Sequence, residues 1–133
     1  MSEPAALAGQ RVLDASVLLA VLQREPGVDE VVLGGAVVSA VNWSETVQKL
    51  HQAHHWVEGM GDMLRARGVL VVDFTEDRAE AAAALWARTR SAGLSLGDRA
   101  CLALARELGV PAVTADRTWA GLDVGVEVVV VRG

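Results

Sequence analysis

The sequence predicts an α/β protein, a three-layer α/β/α domain around a mostly parallel central sheet. Three observations predict it. Short valine-rich runs recur along the chain, as in Ala36-Val-Val-Ser-Ala-Val41, Val69-Leu-Val-Val72 and Ala112-Val-Thr114. They do not alternate apolar with polar residues, so each suits a strand covered on both faces. Longer helical patterns separate them, which is how parallel strands are joined. The 133 residues fit one domain, 1–133, with no repeat, linker or low-complexity segment.

Residues 1–10 form a loose lead-in without periodicity. Strand one is expected over 11–14, followed by a helix to Gln23 that Pro26-Gly27 breaks. A short helix over 28–33 ends at Gly34-Gly35. Strand two covers 36–41, and a long helix runs from 42 to 58. Gly59 and Gly61 interrupt it before a helical piece over 62–67, which stops at Gly68. Strand three is 69–72, and Thr75 caps a helix over 76–91. Residues 91–94 connect to a helix over 97–108, stopped by Gly109. That helix is almost all Ala, Cys and Leu, with Arg99 and Arg106 on one stripe, so it should be largely buried. Strand four is 112–114, after Pro111, and the last strand is 126–130.

Composition excludes several classes. At 52% hydrophobic the chain is not disordered. No apolar run approaches the 18 or so residues of a membrane span, and no secretion signal is visible, so a cytoplasmic protein is expected. The lone Cys101 lies in the apolar helix and is read as a small core residue. The net charge of −5 does not look like that of a protein holding nucleic acid by a broad basic face. It leaves room for a nuclease, because a metal site built from carboxylates is itself acidic.

Four acids are expected at one edge of the sheet. Asp14 ends strand one in Val12-Leu-Asp-Ala-Ser16. Glu45 lies in the first turn of the helix after strand two, Asp98 begins the helix before strand four, and Asp116 follows strand four. In open α/β sheets ligands bind outside the carboxyl ends of the strands. Each acid also has a purely structural explanation. Asp14 or Ser16 can be an N-cap, Asn42-x-x-Glu45 and Ser95-x-x-Asp98 resemble capping boxes, and Asp116 can close an Asx turn. Four converging carboxylates raise one another's pKa unless a cation neutralises them. An all-oxygen set favours Mg²⁺ or Mn²⁺ over Zn²⁺.

In order and spacing, Val12-Leu-Asp-Ala-Ser16, Ser39-Ala-Val-Asn-Trp-Ser-Glu45, Leu94-Ser-Leu-Gly-Asp-Arg-Ala100 and Val113-Thr-Ala-Asp116 resemble the motifs of PIN-domain ribonucleases. More narrowly, the chain resembles the VapC-type toxins of type II toxin–antitoxin systems. The resemblance covers almost the whole chain. It implies Mg²⁺- or Mn²⁺-dependent RNA cleavage, a homodimer and a cognate antitoxin. Asp14 and Asp98 are then the first metal ligands, Glu45 a ligand or the residue that positions water, and Asp116 an outer contributor. Ser16 and Thr114 are candidates to hydrogen-bond those acids or a phosphate, and equally candidates for ordinary cap and strand hydroxyls. Arg99 and Arg117 adjoin site acids and can meet phosphate, with a helix-face ion pair the other reading for Arg99.

Other features compete for attention. His51 and His55 stand four apart on a helix, but a third ligand for zinc is not evident. A solvated face, an RNA contact or a dimer contact is the commoner use of such histidines, His54 included. Among Trp43, Trp56, Trp86 and Trp119, the last is the best candidate for a contact at the rim of the site. The apolar stretch 17–22 and the long helix are candidates for a dimer or antitoxin surface. A receiver-like Mg²⁺-binding signalling domain would need a lysine after a late strand, and the only lysine is Lys49 in an early helix. Dinucleotide-binding and P-loop glycine motifs are missing. The non-enzymatic alternative is an acidic partner-binding domain whose carboxylates receive an arginine.

Overall fold

The computed structural model describes residues 10–131; the expected lead-in therefore lies almost wholly outside the described residues. Five strands form one all-parallel sheet: β1 (Arg11–Leu13), β2 (Ala36–Ser39), β3 (Leu70–Val72), β4 (Ala112–Thr114) and β5 (Val128–Val130), in the order β3-β2-β1-β4-β5. The chain winds outward from β1 in one direction through β2 and β3. It then returns to the other side of β1 as β4. The crevice between β1 and β4 is thus a topological switch point, where open α/β sheets leave room for a ligand.

Helices α1 (Ala15–Leu22), α2 (Ala40–Gln52), α3 (Met60–Ala66), α4 (Glu76–Ala84), α5 (Trp86–Thr89) and α6 (Leu96–Leu108) complete the layers, with 3₁₀ turns at Glu30–Leu33, Arg90–Ala92 and Arg117–Trp119. The sheet's two faces bury separate clusters. Val12, Val37 and Ala112 pack with Ala82 and Leu85 near α4 and with Cys101–Ala105 of α6. Leu13, Val38 and Val113 pack with Val17, Leu18 and Val21 of α1 and Leu64 of α3. Successive strand residues enter opposite clusters, which is why the strands read as continuous apolar runs. The three-layer α/β/α architecture expected from the sequence is the observed one.

The helix starts follow their caps. Ser39 accepts the Val41 N–H at 3.2 Å and Thr75 the Arg78 N–H at 3.2 Å. Ser95 and Asp98 form a reciprocal capping box, and α6 stops at Gly109 in a left-handed backbone with φ 68°. Helix α6 buries seven of its 13 residues, as its composition predicts. At the start of β1 the buried Arg11 guanidinium donates to the carbonyls of Val32 (2.9 Å) and Gly34.

Several expected boundaries move. Strand one ends at Leu13 and strand two at Ser39, because Asp14 and Ser39 cap the helices that follow. The helix expected to reach 58 ends at Gln52, and His54 takes a left-handed φ of 59°. Helix α3 begins at Met60 and includes Gly61, the break falling at Gly59. The helix expected over 76–91 splits at Leu85 into α4, α5 and a 3₁₀ turn. There the Thr89 hydroxyl donates to the Leu85 carbonyl at 2.8 Å, a side-chain bond that bends a helix. No helix among the described residues is long and apolar enough to cross a membrane.

Candidate active site

A cleft of about 380 Å³ opens at the carboxyl edge of the sheet, and Asp14, Glu45, Asp98 and Asp116 all line it with Ser16 and Lys49. Each acid comes from a different connection: the end of β1, the second turn of α2, the first turn of α6 and the turn after β4.

Asp14 is the most buried of the four, 5% exposed. Its Oδ1 accepts the Ala15 N–H at 2.8 Å and so caps α1. Its Oδ2 accepts from the Ser16 hydroxyl at 2.7 Å and the Thr114 hydroxyl at 2.9 Å. Each hydroxyl is itself fixed by a backbone N–H just past β4: Ser16 Oγ accepts the Ala115 N–H and Thr114 Oγ1 the Asp116 N–H, both at 3.0 Å. Two of these bonds, Thr114 to Asp14 and Ala115 to Ser16, span the β1–β4 crevice, and together the set holds the carboxylate in one orientation. The cap and the site are the same residue, and neither hydroxyl is an idle surface group.

Glu45 rests against α6. Its Oε1 accepts from Asn42 Nδ2 at 3.2 Å, and the same amide donates to the Gly97 carbonyl at 3.0 Å. Asn42 is fully buried inside α2 and is not the cap expected from the sequence; Ser39 takes that role. A Cβ at position 97 would overlap the Glu45 carboxyl group, so only glycine leaves the acid its seat. From the sequence Asn42 is read only as a helix cap, and Gly97 is not singled out. The Leu94-Ser-Leu-Gly-Asp98 run was the available signal for Gly97, and the Asn42-x-x-Glu45 spacing, read as a capping box, was the signal for the Asn42–Glu45 contact.

Asp98 spends Oδ2 on the Ser95 N–H at 3.0 Å. Asp116 closes the expected turn, its Oδ1 accepting the Thr118 N–H (2.9 Å) and hydroxyl (2.7 Å). The acids feel one another. Burial raises the pKa of Asp14, with a further push from Asp98, against the lowering effect of the Ser16 and Thr114 hydrogen bonds and the Ala15 N–H. Burial also raises Glu45, with Asp14 and Asp98 adding to the rise and Asn42 and Lys49 opposing it. The fully buried Cys101 thiol is pushed well up, first by burial and then by the same three acids.

Among the described residues, no three of the His, Cys, Asp and Glu side chains stand together as a ready-made ligand set. The acids share a cleft without being drawn tight. The donor chemistry nonetheless fits a hard divalent cation: the cleft offers carboxylate oxygens and no imidazole or thiol. A cation there would offset the repulsion that adds to the burial-driven rise of Asp14 and Glu45.

Three expected contributors lie elsewhere. Arg99 donates to the Ala82 carbonyl of α4 at 3.2 Å and does not line the cleft. Arg117 is exposed beside Asp116 but does not line the cleft. Trp119, expected at the rim, is fully buried in the core, because the 3₁₀ turn after Asp116 folds it inward. The stretch 17–22 is mostly core as well: Val17, Leu18, Ala20 and Val21 are buried, and only Leu19 and Leu22 keep some exposure. The three histidines are exposed, away from the cleft. Trp56 is exposed, and Trp86 lies under the Arg90 guanidinium at 5.3 Å.

Solved structures share this fold. A toxin–antitoxin complex from Klebsiella pneumoniae superposes with a TM-score of 0.67 at 20% identity, covering 87% of this chain and 94% of that one. VapBC2 from Rickettsia felis, bound to a promoter DNA fragment, gives 0.70 at 12% identity, covering 90% and 96%. VapC20 from Mycobacterium tuberculosis, a sarcin–ricin loop cleaving toxin, gives 0.64 at 19% identity, covering 88% and 98%. No curated protein sequence matches the chain. Residues 11–124 match the PIN domain model, a span that takes in all four acids and the connections that carry them, and the chain belongs to the PIN domain family.

Proposed function

We propose that this protein is a divalent-metal-dependent ribonuclease, the toxin of a toxin–antitoxin pair, acting on RNA in the cytoplasm. The observation that carries the reading is the convergence of Asp14, Glu45, Asp98 and Asp116, from four separate connections, on one cleft at the switch point of the sheet. The structural neighbours support it, since the one named for its substrate cleaves an RNA loop and others are toxin–antitoxin complexes. By the same likeness a cognate antitoxin is an expected partner, and the resemblance of the motifs to VapC-type toxins implies a second copy of the chain.

Asp14 and Asp98 would hold Mg²⁺ or Mn²⁺, Glu45 would hold the ion or aim the attacking water, and Asp116 would act from the outer side. The bound ion supplies activation of water and neutralisation of charge on the phosphate. The residues supply placement. Ser16 and Thr114 keep Asp14 from rotating, and Asn42 and Gly97 keep Glu45 against α6. In the hydrolysis, water adds to phosphorus, the bond to the leaving sugar oxygen breaks, and that oxygen takes up a proton.

The test is cleavage of total and structured RNA by purified protein with Mn²⁺, Mg²⁺ or chelator, beside Asp98→Asn. Cutting should stop with chelator and fall at least about 100-fold in the variant, more than loss of an outer-shell partner costs. Cutting by Asp98→Asn at the parent rate, or undiminished by chelator, sinks the reading. Folded, metal-loaded protein that cuts no RNA would favour a partner-binding domain.

A further inference from the structure

Lys49 is the only lysine of the chain and, among the described residues, the only basic one lining the acidic cleft. It stands four residues beyond Glu45 on α2, about 6 Å further along the same helix face. That is comparable to one nucleotide step of an extended strand. The side chain is exposed, and among the described residues it makes no salt bridge or hydrogen bond. Its charge reaches the site, where it opposes the rise in the Glu45 pKa. Gln48 lines the cleft beside it, and Leu19 of α1 lines it as well.

A polyanion entering this cleft meets four carboxylates. A cation among the acids can neutralise the phosphate that reacts. The next phosphate along has no such partner unless the wall provides one, and Lys49 is the one positive group there. Resting on the ribonuclease reading, we propose that Lys49 holds the phosphate next to the scissile one, and that the RNA strand leaves the acids along the wall formed by α2, with Gln48 beside the backbone and Leu19 against sugar or base. The cleft then has a polarity: chemistry at the sheet edge, and substrate grip one helical turn along α2.

A structural role for Lys49 is the rival. As a base in the last turn of α2, four residues after an acid, it can support the helix. Such a role moves thermal stability and leaves the salt dependence of RNA binding untouched.

The experiment separates grip from cutting. Asp98→Asn protein with Mg²⁺ is titrated with a fluorescein-labelled single-stranded RNA over a series of NaCl concentrations, alone and with Lys49→Gln, Lys49→Arg or Arg65→Gln. Arg65 is an exposed cation of α3 outside the cleft. Lys49→Gln should weaken binding about threefold to tenfold and lower the slope of log affinity against log salt by about 0.7, the share of one phosphate contact on a single strand. Lys49→Arg should keep both, and Arg65→Gln should change neither. Unchanged affinity and slope in Lys49→Gln, or an equal loss in Arg65→Gln, overturns the role of Lys49 and leaves the ribonuclease reading standing. Parent Asp98→Asn protein that binds no RNA at any salt overturns the role of Lys49, and the ribonuclease reading falls with it only if the unsubstituted protein also cuts no RNA with Mg²⁺ or Mn²⁺.

Discussion

Asp14 Oδ1 caps α1 while Oδ2 takes two hydroxyls, each anchored by an N–H at the end of β4. At this scale the acids were readable in the sequence because each sits beside a recognisable cap or strand end. Their supports were harder to read. Asn42 reaches Gly97 across 55 positions, and no local pattern announces such a contact. Trp119 misled for the opposite reason: its neighbour Asp116 is exposed, yet one short turn carries the indole into the core. The Gly97 seat gives a sharp expectation. Gly97→Ala improves helix propensity by about 1 kcal/mol, and the overlap falls on the mobile end of Glu45 rather than on backbone. The variant should therefore keep its thermal midpoint while RNA cleavage drops about 100-fold, as displacement of a positioned group does. Parent-level cleavage with the fold intact would show that the seat of Glu45 is irrelevant.

Among the elements, α6 joins the layers. It carries Asp98 at its first turn, packs α4 on one flank and α2 on another, and fills one face of the sheet with Cys101–Ala105. Its position was legible because Ser95, Gly109 and an almost unbroken apolar middle leave few alternatives. The lengths of α2 and α4 were not, since nothing in the sequence marks the left-handed His54 or the bend made by Thr89. Both are tertiary outcomes that local propensity does not foresee. Leu102 has no exposed surface, so Leu102→Ala should destabilise the protein by about 3.5 kcal/mol, the middle of the range for buried leucines, measured by urea unfolding. A loss below about 1 kcal/mol would mean that the neighbouring side chains close the gap.

For the whole molecule, parallel strands with few polar residues and helices between them fixed the class, while the strand order needed the pairing itself. Placing β1 in the middle turns four acids far apart in sequence into neighbours, at a cost in charge. Asp14 and Glu45 both have pKa values raised above 3.8 and 4.5. A raised acid binds its proton more tightly when folded. Its stabilising contribution is full below the unfolded pKa and is lost as pH climbs through the folded value. Glu107 behaves oppositely: paired with Arg78 at 3.0 Å, it is lowered and helps above its unfolded pKa. Comparing Glu45→Gln with the parent cancels that term. In metal-free protein the variant should melt about 1–3 °C higher at pH 7.5, after allowance for solvent screening, and the gap should close at pH 4. A gap that widens on acidification would reverse the assigned sign.

Cys101 gives this fold a built-in witness. It is the only thiol, it has no exposed surface, and burial under the acids keeps its proton on. A thiol reacts as its thiolate, so the closed molecule is inert to alkylating reagents. Reaction requires α6 to part from the sheet, and the same parting dismantles the cleft that α6 helps to line. The labelling rate of a single sulfur therefore counts how often the molecule opens, with no probe added and no residue changed.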